Sequence, residues 1–112
     1  MTKTKRTYVP PDSVVAPKKH FTLVSVLDDN GPGNDALALC LWNGEPEPYL
    51  ALRTNGTDTN PLGNPQSRGM ATWFRMPHRM TEALLSTLPK EKQEQARLLL
   101  NGLRQGRQGV EV

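Results

Sequence analysis

One cysteine, Cys40, is all the thiol chemistry that the 112-residue chain carries. An internal disulfide is therefore excluded, which fits a reducing compartment. Cys40 lies inside an apolar run, where a small buried hydrophobe is the expected role. Histidine is nearly as scarce: His20 and His78 each stand alone at the start or end of an apolar segment. No paired-cysteine zinc pattern, no HExxH and no glycine loop with its phosphate-binding lysine occurs. The acidic turn from Asp28 to Asp35 lacks the ligand spacing of a calcium loop. No nucleophile and base can be paired from spacing. The expectation is a non-enzyme with no catalytic residue, no metal ligand and no cofactor. Long apolar runs are missing too, and none approaches the roughly 20 residues of a membrane-spanning helix. The charged N-terminus has no signal-like apolar stretch after it. A soluble, cytoplasmic protein without a membrane partner is expected.

Acidic residues are few at the chain ends. Up to His20 the chain carries Lys3, Lys5, Arg6, Lys18 and Lys19 against Asp12, a local net charge of +4. Arg104 and Arg107 stand near the other end, and the formal net charge of the whole chain is +3. Basic ends of this kind point to a polyanion, nucleic acid before an acidic membrane surface.

Ten prolines and nine glycines fall between apolar runs and mark out the elements. Residues 1–19 read as a flexible basic arm, 20–104 as a single domain and 105–112 as a flexible tail. Phe21 to Leu27 is rich in β-branched residues and reads as a first strand. From Ala36 to Trp42 the chain alternates: Leu37, Leu39 and Leu41 share one face, and Ala38, Cys40 and Trp42 the other. Asn43-Gly44 opens a hairpin connection, and the third strand runs from Tyr49 to Thr54. There Leu50 and Leu52 face the core, and Tyr49, Ala51 and Arg53 face out. A loop from Asn55 to Gln66 precedes a fourth strand, Met70 to Met76, with Trp73 and Arg75 on one face. Met80, Leu84 and Leu88 then repeat at helical spacing. Pro89 interrupts them, with Thr87 placed to cap a new start. Lys90 to Leu103 carries Ala96, Leu99, Leu100 and Leu103 as an apolar stripe. The fold class is α+β: a four-stranded antiparallel sheet followed by a kinked C-terminal helix or two short helices, ββββα. One helix covers only one face of such a sheet. The other face is then wet or covered by a second copy, so a homodimer is expected.

Scarce aromatics gain weight when they interleave with cations. Single-stranded nucleic acid is held by a cationic groove for phosphates and aromatic faces for bases. Lys18, Lys19, Arg53, Arg68 and Arg75 are the candidates for the first task, and Trp42, Tyr49 and Trp73 for the second. Arginine inside a strand needs a partner or solvent.

The stretch Leu41-Trp-Asn-Gly-Glu-Pro-Glu-Pro-Tyr-Leu-Ala-Leu-Arg53 resembles the second hairpin of the transcriptional positive cofactor four family, above all its small bacterial and phage-type members. Asn64-Pro-Gln-Ser-Arg-Gly-Met70 is similar to the proline, basic residue and glycine that precede that family's fourth strand. The helix near Met80 falls where the family's helix falls, and the likeness spans residues 20–100 in order of elements. It implies a homodimer of ββββα subunits whose curved sheets form a groove for single-stranded DNA. Arg53 and Arg68 would be binding residues by matching position, with Lys18 and Lys19 flanking the groove. The chain departs from the pattern where Thr54-Asn55-Gly56 replaces an aromatic after strand three, in a longer following loop, and at Pro89. The function expected is largely sequence-independent binding of single-stranded DNA in replication, repair or transcription regulation, in the cytoplasm or on a bacterial nucleoid. RNA is a variant of the same reading. The alternative is a protein-interaction module or regulator, phage-encoded for instance, that binds a host or viral enzyme.

Overall fold

In the computed structural model, alternation along the second strand decides the architecture. The structure describes residues 9–16, 20–43 and 45–110, the side chains of 106–110 aside. β1 (Phe21–Asp29), β2 (Asp35–Trp42), β3 (Tyr49–Thr54) and a short β6 (Phe74–Arg75) form one antiparallel sheet in the order β1-β2-β3-β6. Leu37 pairs with Leu52 and Leu39 with Leu50, so one face of the sheet is leucine. Ala36, Ala38, Cys40 and Ala51 lie on the other and are fully buried. Burial pushes the Cys40 thiol up to about 12, so it serves as a small hydrophobe and not as a nucleophile.

The leucine face is covered by helices. A 3₁₀ turn (His78–Met80) leads into α1 (Thr81–Leu85), and α2 (Lys90–Val110) follows Pro89. Leu85, Leu88, Ala96 and Leu100 pack onto Leu37, Leu39 and Leu50. Each fully buried leucine contributes about 1.5–3 kcal/mol. The sheet followed by C-terminal helices is the α+β architecture expected. The helix is interrupted at Pro89, but Thr87 is no N-cap: its hydroxyl donates back to the Leu84 carbonyl at 2.6 Å. α2 continues through Gly102 to Val110, so the helix extends into the segment expected as a tail. Among the described residues, no helix is long and apolar enough to cross a membrane.

The small-residue face is covered from within the chain, which corrects the expectation that solvent or a second copy must lie there. Residues 9–16 form a strap across it. Pro11–Ser13 make a 3₁₀ turn, Val14 is 2% exposed, and Ala16 bridges to Thr72 in parallel. The Val9 amide donates to the Pro61 carbonyl at 2.9 Å. This part of the expected flexible arm is packed structure; alanines beneath it let an irregular segment approach closely. Lys18 and Lys19 lie outside the described residues.

The expected fourth strand is broken in two. Met70–Ala71 (β5) turns back on Gln66–Ser67 (β4), and only Phe74–Arg75 joins the main sheet. The long segment after β3 folds against itself. Thr54 and Asn64 exchange both backbone hydrogen bonds, at 2.8 and 2.9 Å. Buried Asn55 donates from Nδ2 to Asp29 Oδ1 and the Gly31 carbonyl, both at 2.9 Å. A Cβ at Gly56 would sit 2.0 Å from the Pro61 oxygen, so no larger residue fits that crossing.

Ion pairs tie α2 back to the body of the domain. Lys92 Nζ lies 2.6 Å from Asp28 Oδ1, and Arg104 Nε donates to Glu47 Oε2 at 2.6 Å. The Lys92 hydrogen bond, helped by Asn30, holds the Asp28 carboxyl below its ordinary value of 3.8 against the opposing effect of burial. A lowered folded-state pKa stabilises the protein above the unfolded carboxylate's pKa and loses that contribution as pH falls through the folded value. Asp28→Asn is therefore expected to cost about 0.2–1 kcal/mol at neutral pH. The gap between wild type and variant should close as pH drops below 3.8. Urea denaturation at a series of pH values checks this.

Candidate nucleic-acid interface

Trp42, Tyr49 and Arg75 belong to three neighbouring strands and meet on one face of the sheet. Cys40 pairs with Tyr49 and Ala51 with Arg75, which aligns the side chains of β2, β3 and β6. Trp42 ends β2 and is braced edge-on by buried Phe21, with ring centroids 5.4 Å apart at 79°. Because Ala51 opposite Arg75 is small, the arginine leans diagonally across the sheet. Its guanidinium carbon lies 4.4 Å from the Tyr49 ring centroid and 4.8 Å from that of Trp42. Tyr49 is oriented by its hydroxyl, which donates to Glu45 Oε1 at 3.2 Å. The His78 ring stacks on Tyr49 at 3.9 Å and 21°.

The result is a column of four flat groups, Trp42, Arg75, Tyr49 and His78, with Arg75 and His78 exposed and the other two half-buried. Cation–π contacts at exposed sites contribute about 0.5–1 kcal/mol each, and aromatic pairs about 0.5–1.5 kcal/mol. Among the described residues Arg75 makes no ion pair, whereas Lys92, Arg97 and Arg104 are each held by a carboxylate. An uncommitted cation on a bed of aromatics suits an anionic ligand that also carries planar groups.

His78 and Phe21 are not among the residues expected here. His78 is within reach of sequence reasoning once strand register is considered. Pairing Ala51 with Arg75 runs the chain on past Leu50 toward Tyr49, and the Met76 amide donates to the Leu50 carbonyl at 2.9 Å. Pro77 then sets the turn that starts at His78.

Two expected binding residues are buried instead. Arg53 is 3% exposed; its Nη1 and Nη2 donate to the carbonyls of Thr72 and Leu62, and its guanidinium carbon lies 5.9 Å from the Trp73 ring centroid. Burial lowers its pKa from the ordinary value, and its Nε is buried without a hydrogen-bond partner. Trp73 is 6% exposed and donates from Nε1 to the Val14 carbonyl at 2.8 Å. Their face of the sheet is the one expected, but the strap and the 55–73 segment cover it at that end. Neither reaches a ligand on the surface.

Arg68 is exposed at the tip of the β4–β5 hairpin. Arg68 and Gly69 are the two loop residues, with φ of 53° and 77°. Two positive φ values are what a type I′ turn needs, and Asn-Gly meets that need best. Arginine pays a steric cost in this region. Arg68→Asn is expected to raise stability by about 0.5–1 kcal/mol, or roughly 2–4 °C in Tm by thermal denaturation.

Comparison with known proteins finds no matching family model, no matching curated protein and no matching solved structure.

Proposed function

We propose that the chain is a single-stranded-nucleic-acid-binding protein, with DNA as its ligand, that binds largely without regard to sequence and acts in replication, repair or transcription regulation. The observation that carries this reading is the column of Trp42, Arg75, Tyr49 and His78, whose arginine makes no ion pair among the described residues. Trp42 and Tyr49 offer faces to unstacked bases; Arg75 and Arg68 reach phosphates. The order of sheet and helix, and the hairpin from Leu41 to Arg53, resemble the positive cofactor four family and support the same function. Arg53 leaves the ligand set, because its donors are already used inside the fold.

The test is alanine substitution at Trp42. A stacked base is worth about 1–3 kcal/mol, or roughly 5- to 150-fold in Kd. Trp42→Ala is expected to weaken binding of a single-stranded oligonucleotide within that range while the protein stays folded. Unchanged affinity in a folded variant would remove the column from the site. Arg68→Asn is expected to weaken binding at low salt despite its gain in stability. Its plot of log affinity against log salt should be shallower by about 0.7, the loss of one phosphate contact.

The same reading makes the protein a homodimer. β1 is an edge strand, and beside it runs a groove of about 510 Å3 in which Val26, Leu27, Ala96, Leu98 and Leu99 are joined by the polar Ser25, Lys92 and Gln95. Leu98 is 74% exposed, an apolar side chain placed for a second copy. Leu98→Lys is expected to give a monomer in sedimentation. A wild-type protein that is itself monomeric would instead favour the interaction-module reading, with this groove as the partner's site.

A further inference from the structure

The column is full in the free protein. Tyr49 carries the His78 ring at 3.9 Å and the Arg75 guanidinium at 4.4 Å, and the same guanidinium covers Trp42 at 4.8 Å. A base stacking at van der Waals distance, about 3.5–4 Å, needs the space that Arg75 occupies. We infer that Arg75 is a displaceable cover: it lies on Trp42 and Tyr49 in the free protein, and an incoming base drives its side chain off the rings and onto the adjoining phosphate. This inference rests on the nucleic-acid reading and names how that site takes its ligand.

Three features make Arg75 the group that moves. Its backbone is fixed in β6 opposite Ala51, but its long side chain is exposed and held by ring contacts, with no ion pair among the described residues. Phe21 backs Trp42, and the hydroxyl of Tyr49 is tied to Glu45, so the rings themselves are anchored. His78 is held by a turn that Pro77 begins. The alternative arrangement, a base stacked on the outer face of a stationary Arg75, would leave that guanidinium between the base and both rings, so the faces of Trp42 and Tyr49 that it covers would gain no contact with the base. Moving to the phosphate instead gives the guanidinium donors a charged acceptor in bidentate geometry. Base stacking and charge neutralisation are then one coupled step, and a ligand with phosphates but no bases cannot trigger it.

The experiment compares wild type, Arg75→Ala and Arg75→Lys, each as the full chain. The ligands are an oligothymidylate about ten residues long and an abasic deoxyribose-phosphate strand of equal length, titrated at roughly 50 and 200 mM salt. Arg75→Ala is expected to bind oligothymidylate several-fold more weakly than wild type at low salt, and as tightly or more tightly at high salt. Its log–log salt slope should be shallower by about 0.7, and its preference for oligothymidylate over the abasic strand should be kept or increased. Arg75→Lys keeps a mobile charge and should retain the wild-type slope. Loss of the base preference in Arg75→Ala would overturn the inference, since the guanidinium would then be the stacking platform. An equal loss at both salt concentrations with the slope unchanged would overturn it too, leaving Arg75 a structural brace. A wild-type protein that binds neither strand would retire the nucleic-acid reading itself, and this inference with it.

Discussion

Arg53→Met is expected to cost about 3 kcal/mol of stability or more, a fall in Tm of roughly 12 °C. The substitution removes the donors that reach the Thr72 and Leu62 carbonyls, and it does so in a site that is 3% exposed. Each hydrogen bond from a charged donor that is lost at this part-buried site costs about 1.5–3 kcal/mol. Methionine fills much of the volume but offers no hydrogen. A domain of this size has only about 5–15 kcal/mol in total, so the loss is a large share. Urea and thermal denaturation followed by circular dichroism measure it. A variant as stable as wild type but unable to bind oligonucleotide would show that Arg53 is a ligand residue after all. The expected result is the reverse: any loss of binding follows the loss of folded protein.

Trp73→Ala is expected to cost about 3–5 kcal/mol, the range for emptying a buried aromatic site. The indole lies among Val14, Ala38, Cys40 and Ala51 in the core under the strap, and its Nε1 hydrogen bond to Val14 helps to hold that strap down. Residues 9–16 should therefore become the first site of limited proteolysis in the variant, while wild type resists there. Trp73→Phe keeps most of the ring and loses the hydrogen bond, so about 1 kcal/mol is expected. Equal protection of the strap in all three proteins would contradict the role given to Trp73.

These two residues mark where sequence reading stops. The alternation from Ala36 to Trp42 and from Tyr49 to Thr54 separates the side chains into two faces correctly, because a strand has a period of two, but the face expected to point outward at Ala51 and Arg53 is buried. It does not say what covers each face. The helical spacing of Leu84, Leu88, Ala96 and Leu100 names the cover of the leucine face. On the other face the cover is a proline-containing strap and a folded loop, which have no period to recognise. Arginine at 53 thus looks like a surface residue, and its carbonyl partners come from positions 9 and 19 residues farther along the chain. The fourth strand is misread for a similar reason: Met70 to Met76 alternates, but the Arg68–Gly69 turn folds its first residues back on Gln66 and Ser67. Trp42, Tyr49 and Arg75 are legible as a group because they follow from strand pairing alone. His78 joins them only once the β3–β6 register is fixed, because its place depends on how the chain leaves β6.

The most direct test of the central claim is fluorescence anisotropy with a labelled single-stranded oligonucleotide beside the matching duplex, at low and at moderate salt. The column and its exposed arginine predict salt-sensitive binding that favours the single strand, and a Trp42→Ala protein that loses that preference. Equal binding to single strand and duplex, or no binding at low salt, would contradict the account and turn attention to the groove beside Leu98.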